Sequence, residues 1–463
     1  MHKLPEIKQN SQNTGDLCSL KKKNETPDLF RAILDQILDS KHPLFKLANQ
    51  IDLSLFEKEL IHTYDPTMRR PGKSIRLMVG LHYLKYTYDL SDEAVLDGFR
   101  ENPYWQYFCG FEFFQHQYPT DPSNMTRFRE RRGKEGSETL LHALLRTAQD
   151  IKVLTKNDLK KVNIDATVQE KAISFPTDSR LYYKLLRRLV KLAQERGIEL
   201  RQSYVRKSKE ALIKQSRYAN AKQFKRAFRE TGRSKIFLGR VDRDIRRKAE
   251  DSDPELRHHL HLADRLFKQE RESKDKVYSI HAPEVEYISK GKAHKRYEFG
   301  VKVSMATTSK GNWVVGIRSF PGNPYDGHTL EDTIKHVERL TGYQVKEAYV
   351  DQGYRGHGHE GVTEVHIVNN RRMNRMTRSV RKWLKRRNAI EPGFGHLKSD
   401  NRMSRNYPEG SDGDQINAIL SGCGFNMRKL LAVFSLSQFL YRLFVRLLLV
   451  EWFRKSQKSY SFA

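Results

Sequence analysis

Three acidic residues stand in contexts that could bring their carboxylates together for chemistry at phosphorus. Asp165 lies in the alternating stretch VNIDATVQ, Asp351 directly follows the apolar run EAYV, and Glu391 stands in the basic segment RRNAIEPGFGHLK. Clustered carboxylates repel one another unless cations neutralise them, and hard ions such as Mg²⁺ prefer carboxylate, water and phosphate oxygens. Two such ions can activate a water or hydroxyl group and stabilise the leaving oxygen of an in-line displacement. The three acids therefore predict metal-dependent phosphoryl transfer.

The elements around these acids predict how the chain would position them. The residues from Val162 to Val168 alternate between apolar and polar, which is the period of a strand with one buried face. Asp351 would end a later strand, Glu391 would lie on a final helix, and residues 297–308 and 313–320 would form a hairpin. This order of elements resembles the ribonuclease-H-like core, an α/β fold with an open mixed sheet flanked by helices. The three acids converge in that layout.

Taken singly, two of these acids have plainer interpretations. Asp165 could be a solvated residue on the polar face of a strand, and Asp351 opens DQGYRG, whose Gly353 and Gly356 are typical of a turn. The agreement of both with Glu391 in element order favours chemistry over these alternatives.

The helix expected around Glu391 carries two cations at helical spacing. Arg387 precedes Glu391 by four residues and Lys398 follows it by seven, so one helix face would hold all three. Both cations are predicted phosphate contacts, because a guanidinium fork and an ammonium charge suit phosphate oxygens; the alternative is solvated helix charge. Pro392 removes a backbone donor and disfavours helical geometry at Glu391, which predicts that the helix kinks or restarts there.

The charge of the chain predicts a polyanionic partner. The 463 residues contain 85 Lys and Arg against 56 Asp and Glu, a net charge of +29. DNA is the simplest partner for such a surface. The segment from Arg180 to Glu250 alone holds 23 Lys and Arg against 7 Asp and Glu, which is 16 of the 29 excess charges. The residues predicted to contact phosphates in this segment are Arg187, Arg188, Lys191 and Arg246.

A helical region precedes the first predicted strand. Apolar residues recur at three-and-four spacing from about residue 29 to 151, and the turn YPTDPSN opens a short basic helix from Met125 to Gly133. Arg127 and Arg129 on this helix are candidate DNA contacts, as in helix-turn-helix proteins. The alternative interpretation is a solvated helix.

The chain is therefore predicted to have four parts. Residues 1–28 would form a flexible polar tail, and residues 29–151 an all-α DNA-binding domain. Residues 152–429 would form the ribonuclease-H-like catalytic domain, with a basic helical insertion at about 177–275 after its first strand. Residues 430–463 would form an amphipathic C-terminal helix.

Several features predict a cytoplasmic protein associated with the nucleoid. The N-terminus lacks the apolar region of a secretory signal. The apolar run near the C-terminus meets Arg442 and Arg446 before it reaches the about 20 residues that a membrane-spanning helix needs. Three scattered cysteines suggest neither a disulfide framework nor a thiolate zinc site, which fits a reducing compartment.

The stretches IDATVQEKAI, FPTDS, VDQGYRGHG and RRNAIEPGFGHLKSDNRM occur in this order, after GKSIRLMVGLHYLKYTYDLSDEAV nearer the N-terminus. Together they resemble the transposases of bacterial insertion sequences, of the DD-E type found in the fifth insertion-sequence family. The resemblance extends from about Pro71 to Leu431.

The family signature after the second aspartate resembles Tyr, two residues, Arg, three residues, Glu, six residues and Lys. Arg387, Glu391 and Lys398 fit this spacing, but Leu384 occupies the tyrosine position, next to Trp383. The function of that tyrosine in relatives therefore does not transfer to this chain.

The resemblance implies a catalytic triad of Asp165, Asp351 and Glu391 that also binds metal, with Mg²⁺ or Mn²⁺ as cofactor and two ions expected. It implies that DNA is the partner, both as terminal inverted repeats and as target, that a homodimer forms the active complex, and that cleavage is followed by strand transfer. Two alternatives remain open: a ribonuclease-H-like nuclease that cannot transfer strands, and a non-catalytic DNA-binding regulator derived from such an enzyme.

Overall fold

The computed structural model describes most of the chain, with side chains described up to residue 436. The described residues are 33–52, 73–249, 253–270, 272–273, 276–289, 297–368 and 377–460. The predicted tail, residues 1–28, lies outside them. The described elements combine helices with one mixed sheet, which confirms the α/β class.

Helices make up the described chain before the first strand. They are α1 (Leu34–Ile37), α2 (Pro43–Gln50), α3 (Ile75–Thr87), α4 (Asp92–Glu101), α5 (Pro103–Phe108), α6 (Pro122–Asp150) and α7 (Lys156–Leu159). Side-chain oxygens of Ser91, Asn102 and Asp121 accept backbone N–H groups at the starts of α4, α5 and α6, which satisfies donors that a helix leaves unpaired. Gly133, with a φ of 61°, interrupts α6, so the short basic helix ends where the sequence predicts.

Six strands form the mixed sheet. They are β1 (Lys161–Glu170), β2 (Glu286–Ser289), β3 (Tyr297–Thr308), β4 (Val314–Phe320), β5 (Glu347–Val350) and β6 (Glu364–Ile367). The long strand β3 pairs antiparallel with β1 on one side, and with β2 and β4 on the other. The strands β1, β5 and β6 are parallel neighbours. The predicted hairpin is confirmed as β3 and β4.

Four helices between β1 and β2 form a unit with its own core. They are α8 (Asp178–Glu195), α9 (Val205–Asn220), α10 (Phe224–Lys248) and α11 (Pro254–Lys268). Leu185 and Leu189 on α8 pack in a cluster with Leu238 and Val241 on α10, separate from the main core. The apolar stripe of α8 is thus buried locally rather than against the sheet, because its partners lie within the same unit.

The main core joins the N-terminal helices to the sheet and to the last helix, α15 (Gly410–Tyr460). The Tyr86 hydroxyl donates to Asn417 Oδ1 at 2.9 Å, and Asn401 Nδ2 donates to the Tyr86 carbonyl at 2.8 Å. A Cβ at Gly424 would lie 2.2 Å from that carbonyl, so only glycine permits this close approach of α15 to α3. The residues on either side of the predicted boundary at 151 therefore share one core.

The C-terminal helix begins earlier than expected. Residue 430, the predicted start, falls inside α15, which is continuous from Gly410 to Tyr460. The extension is explained by packing, because Ile416, Ile419 and Leu420 are buried in the main core on the upstream turns. Within the described part of the chain, no helix has the length and apolar character required to cross a membrane.

Three helices complete the region around the sheet: α12 (Leu330–Thr341), α13 (Arg378–Arg387) and α14 (Ile390–Asp400). α12 is preceded by a short 3₁₀ turn, Asp326–Thr329, and ends at Gly342, whose φ of 70° suits a glycine stop. A second 3₁₀ turn, Gln352–Tyr354, follows β5. The two turns are neighbours, because a Cβ at Gly353 in the second turn would lie 3.4 Å from Asp326 Oδ2 in the first.

Candidate active site

Asp165 on β1 and Asp351 after β5 follow the same stretch of parallel pairing. The register of the two strands ends at Asn163 and Tyr349, and each aspartate lies two residues beyond this last pair. Asp351 directly follows β5 and accepts the Gly353 N–H at 2.8 Å, as the cap of the 3₁₀ turn. The sequence prediction that these two acids meet at one edge of the sheet is therefore consistent with the strand register.

Arg387 bridges the two aspartates. Its Nη2 lies 2.7 Å from Asp165 Oδ2 and 3.8 Å from Asp351 Oδ2, while its side chain is only 7 % exposed. The Asp165 side chain is 16 % exposed and the Asp351 side chain 40 %. A buried guanidinium next to two carboxylates supplies the positive charge that such a pair requires. Arg387 thus lies where a metal ion or a phosphate would compete with it.

The helix predicted around Glu391 is divided. α13 ends at Arg387 and α14 begins at Ile390, so the helix restarts one residue before Glu391. A proline ring excludes the carbonyl of the fourth residue before it, which for Pro392 is Asn388, the residue that follows α13. The break due to Pro392 is therefore present. The expectation that one helix carries both Arg387 and Glu391 is wrong, because they lie on different helices.

Glu391 lies on the first turn of α14, above the strand that pairs with β1. A Cβ at Gly393 would lie 3.6 Å from Met305 Cε, and Met305 is the register partner of Asp165. α14 therefore lies on the face of the sheet that carries Asp165. The Glu391 side chain itself is exposed. Among the residues with described side chains, no three His, Cys, Asp or Glu come together as a metal-binding group.

The remaining positions of the family signature lie on the same two helices. Leu384, at the tyrosine position, is buried at 2 % exposure and has no polar group to offer. The neighbouring Trp383 lies under two cations, with Lys161 Nζ 5.1 Å and Arg386 Cζ 4.8 Å from the ring centroid. Lys398 is half-buried on α14. Its predicted phosphate contact stays a prediction.

A third aspartate, which the sequence analysis did not select, lies at the same edge. A Cβ at Gly353 would be 3.0 Å from Asp351 Oδ1 and 3.4 Å from Asp326 Oδ2, so both carboxylates face this glycine. Asp326 is paired with Lys302 Nζ at 2.9 Å. We refer to Asp165, Asp351, Asp326, Arg387 and Lys302 as the acidic cluster. The sequence signal for Asp326 was NPYDGHT, which a turn and a helix start also explain.

The pKa of the Tyr354 hydroxyl is affected by the carboxylates of this cluster. The side chain is completely buried. Burial raises the pKa of its hydroxyl far above the usual value, and the negative charges of Asp165 and Asp326 raise it further. The hydroxyl is therefore neutral and lies within the field of both carboxylates.

The basic helix of the N-terminal region is only partly free to contact DNA. Arg127 is exposed. Arg129 instead donates Nη1 to Asp92 Oδ1 at 2.8 Å and Nη2 to Asp92 Oδ2 at 2.7 Å, and its side chain is 11 % exposed. The expectation that Arg129 faces solvent as a phosphate contact is corrected in this structure, because its guanidinium is turned into the protein.

The four cations predicted to contact phosphates in the insertion lie on α8 and α10. Arg188 is paired with Glu255, Lys191 Nζ lies 3.5 Å from Glu195, and Arg246 lies 3.0 Å from Asp242 and 2.9 Å from Asp264. Arg187 is exposed next to the Tyr183 ring. Acidic residues of the insertion thus partly neutralise the cations that the sequence singled out, and their contact with DNA stays a prediction.

Comparison with protein families gives two matches along the chain. Residues 32–131 match the model described as Transposase domain (DUF772), and residues 264–427 match the model described as Transposase DDE domain. The second match contains Asp351, Arg387, Glu391 and Lys398. Asp165 and most of the helical insertion lie outside both matches, so the assignment of Asp165 depends on its position beside Asp351.

A curated protein is similar to part of the chain. The chain is 51 % identical over 197 residues to a protein described as "Uncharacterized protein ORF8 in nfe locus" from Rhizobium meliloti; the match covers 42 % of this chain and 95 % of the relative. No solved structure matches the chain.

Proposed function

This chain belongs to the DDE-type transposases of insertion sequences, and on that premise we propose that it binds the terminal inverted repeats of such an element and catalyses metal-dependent DNA cleavage and strand transfer. The observation that carries the proposal is the pair formed by Asp165 on β1 and Asp351 directly after β5, bridged by Arg387. Such a pair requires a cation, and phosphoryl transfer by two metal ions uses acids in this way.

The proposed fold of the catalytic domain is ribonuclease-H-like. Its support is the strand arrangement, in which β1 is antiparallel to β3 and parallel to β5, and β5 is parallel to β6. The first acid lies on β1, the second follows β5, and the third lies on a helix after β6, which is the order that the sequence predicts. The helices α8–α11 are then an insertion between β1 and β2.

The donor set fits a hard divalent cation. Asp165 and Asp351 supply carboxylate oxygens, which Mg²⁺ and Mn²⁺ prefer, and the guanidinium of Arg387 already marks a place where positive charge is stabilised. We assign Asp165 and Asp351 as ligands and Glu391 as the third, two ions being the expected number. When bound, such ions activate the attacking oxygen and stabilise the leaving one.

The other residues of the site would position DNA. Arg387 is paired with Asp165 and lies near Asp351; a divalent cation held by these aspartates would compete with it and would leave its fork for a phosphate oxygen of the strand to be cut. Lys398, two turns beyond Glu391 on the same helix, adds a point charge for the backbone. A homodimer on two element ends, associated with the nucleoid, is part of the same proposal.

The test is cleavage by the Asp351→Asn variant. DNA carrying an end of the element is incubated with protein and Mg²⁺ or Mn²⁺, cleavage is followed on a gel, and DNA binding is measured separately by band shift. We expect cleavage to be abolished and binding to be kept, because the change removes a metal ligand and no cation. Asp332→Asn, an exposed acid on α12, is the matched control and should cleave normally. Equal cleavage by Asp351→Asn and the wild type would refute the proposal.

Strand transfer separates this proposal from a nuclease. Pre-cut element ends are supplied with a target plasmid, so that only joining is required. Joined products support a transposase, whereas cleavage without joining identifies a nuclease. DNA binding without either reaction identifies a regulator.

A further inference from the structure

The helical insertion has a projecting end that neither family match covers. This end, which we name the arm, comprises α9 and the first two thirds of α10, residues 205–240. α10 packs in the core of the insertion through Leu238, near the end of the arm, and through Val241 and Ile245 beyond it. The buried residues between positions 224 and 234 are only Ala227, Glu230 and Ser234, none of them bulky. The arm is thus a helical hairpin that leaves much of its surface exposed.

Two phenylalanines are exposed on the arm. Phe224 is 58 % exposed and Phe228 is 74 % exposed. Their spacing of four residues places them on one face of α10, and Gly232, one turn further, has no neighbouring atom within 4 Å of a Cβ. Burying such rings would contribute about 1.5 to 3 kcal/mol each, so a helix that leaves two of them in water has an uncovered binding face.

Cations surround these rings. The arm contains 12 Lys and Arg against 2 Asp and Glu. Both acids already have partners on their own helix, since Glu210 pairs with Arg206 and Glu230 with Arg233. Lys225 and Arg229, beside the phenylalanines, are exposed, and the described residues place no carboxylate within ion-pair distance of either. The arm therefore presents aromatic rings and positive charge on the same helix.

A shallow basic cavity lies at the foot of the arm. Its volume is about 250 Å³, and the charged side chains that line it are Lys207, Glu210, Lys214, Arg233 and Arg240. Four cations against one acid suit an anion of phosphate size. Arg233 lies nine residues after Phe224, which is about 180° around α10, so the cavity opens on the other face of this helix and offers a separate place for a phosphate.

We infer that the arm binds DNA at unpaired nucleotides, with its cations on the phosphates and with Phe224 and Phe228 stacked on bases. Exposed aromatic rings among cations are the features by which proteins hold single strands, because every base has a face that can stack. A second copy of the arm is a poor occupant, since two surfaces with this charge excess repel each other. The inference rests on the proposed function, which supplies DNA with freshly cut ends.

The test compares two DNA probes with the full-length protein. One is a fully paired duplex, and the other is the same duplex with a single-stranded thymidine tail. The double variant Phe224→Ala and Phe228→Ala is expected to bind the tailed probe about tenfold more weakly, and the paired probe as the wild type does. Alanine favours helix and both positions are exposed, so the fold should be kept; circular dichroism checks this.

Two further variants control for side effects. Ile236→Ala removes an exposed apolar side chain from the same helix without removing a ring, and it should bind both probes normally. Phe228→Trp in the Phe224→Ala background should restore part of the preference for the tailed probe, because tryptophan also stacks.

Three outcomes would overturn the inference. Unchanged binding of the tailed probe by the double variant would show that the rings do not contact bases. A change of oligomeric state in sedimentation, with DNA binding intact, would assign the rings to a second copy. Lost binding to vesicles of anionic lipid, again with DNA binding intact, would assign them to a membrane surface. Failure of the wild type to bind or cleave either probe would instead refute the proposed function itself.

Discussion

The acidic cluster and the arm use positive charge in opposite ways. In the cluster, Arg387 lies 2.7 Å from Asp165 and Lys302 lies 2.9 Å from Asp326, so each cation faces a carboxylate. On the arm, Lys225 and Arg229 face solvent, and their nearest acids on the hairpin are paired with other arginines. A cation that enters the cluster must compete with a guanidinium, whereas a polyanion can approach the arm without breaking an ion pair.

The same contrast occurs within the insertion. Outside the arm, Arg196 is paired with Asp253 and Glu255, and Arg246 with Asp242 and Asp264. The arm has the same types of basic residue but few acids to pair with. Net charge along the sequence therefore identifies the insertion as basic, but only the pairing identifies which part of it is open to a partner.

The largest expected effect is on cleavage, when variants of the acidic cluster and of the arm are compared for both cleavage and DNA binding. Asp165→Asn should lower metal-dependent cleavage by about a thousandfold, which corresponds to about 4 kcal/mol of transition-state stabilisation, while DNA binding is kept. Lys225→Glu combined with Arg229→Glu should weaken DNA binding but leave cleavage of bound DNA unchanged. The cleavage rate is measured at saturating DNA, and the affinity for DNA is measured by band shift. Weakened binding in Asp165→Asn would contradict the division of roles.

The next largest effect is on stability and concerns Arg129, which forms an ion pair with Asp92. Asp92→Asn should lower the free energy of unfolding by about 3 kcal/mol at neutral pH, because the charges of Arg129 and Lys85 lose their partner in a mostly buried position. Urea unfolding followed by circular dichroism measures this loss. A loss near zero would mean that Arg129 is free to contact DNA after all.

The pKa of Asp92 determines how the difference in free energy of unfolding between the wild type and Asp92→Asn changes with pH. Burial alone would raise the pKa of Asp92, but Arg129 and Lys85 lower it well below its ordinary value of 3.8. The ionised carboxylate therefore contributes stability that is complete above pH 3.8 and declines below it. The gap between wild type and Asp92→Asn should shrink as the pH falls below 3.8. Burial lowers the pKa of His82 to about 3, and the negative charge of Asp92 opposes this shift, so the His82 pKa should fall further in Asp92→Asn.

A smaller effect tests whether Arg387 competes with metal. Arg387→Gln should tighten Mn²⁺ binding about tenfold, or about 1.4 kcal/mol, because the two aspartates lose the cation that neutralises them. Isothermal titration without DNA measures this affinity, and it is a readout independent of activity. Arg386→Gln, which changes the neighbour that stacks on Trp383, is the control. Weaker Mn²⁺ binding would show that Arg387 orders the aspartates rather than competing for them.

The smallest effect is on the salt dependence of DNA binding, and it compares the cations of the arm with the paired cations in the rest of the insertion. On the probe with the single-stranded tail, Lys225→Ala with Arg229→Ala should reduce the slope of log affinity against log salt concentration by about 1.4, at about 0.7 per phosphate contact on a single strand. Arg188→Ala with Arg246→Ala should leave the slope unchanged, because these side chains already have acidic partners. The reverse pattern would restore the assignment that the sequence suggests.

The positions of Asp165 and Asp351 could be predicted because they follow from local patterns. Alternation marks β1 and an apolar run marks β5, and parallel pairing of the first part of β1 with β5 brings Asp165, midway along β1, near Asp351 at the end of β5. The helix break near Glu391 was predictable as well, since proline acts on its own backbone. Its consequence was not, because the separation of Arg387 from Glu391 into two helices depends on how α13 and α14 pack on the sheet.

Asp326 and Arg129 show what a linear pattern misses. Asp326 reaches the cluster because the 3₁₀ turn before α12 folds back to the turn after β5, a contact between segments far apart in sequence. Arg129 is turned inward because Asp92, on another helix, lies opposite it. Both depend on long-range geometry that residue types and spacing do not contain.

The sequence by itself determined the acids, the order of strands and helices, the excess of positive charge and its concentration in one segment, because each is set by residue type and local period. Only the tertiary structure decided which cations are neutralised and which are available. That decision depends on which carboxylate lies within a few ångströms, and the fold sets this distance by bringing distant segments together.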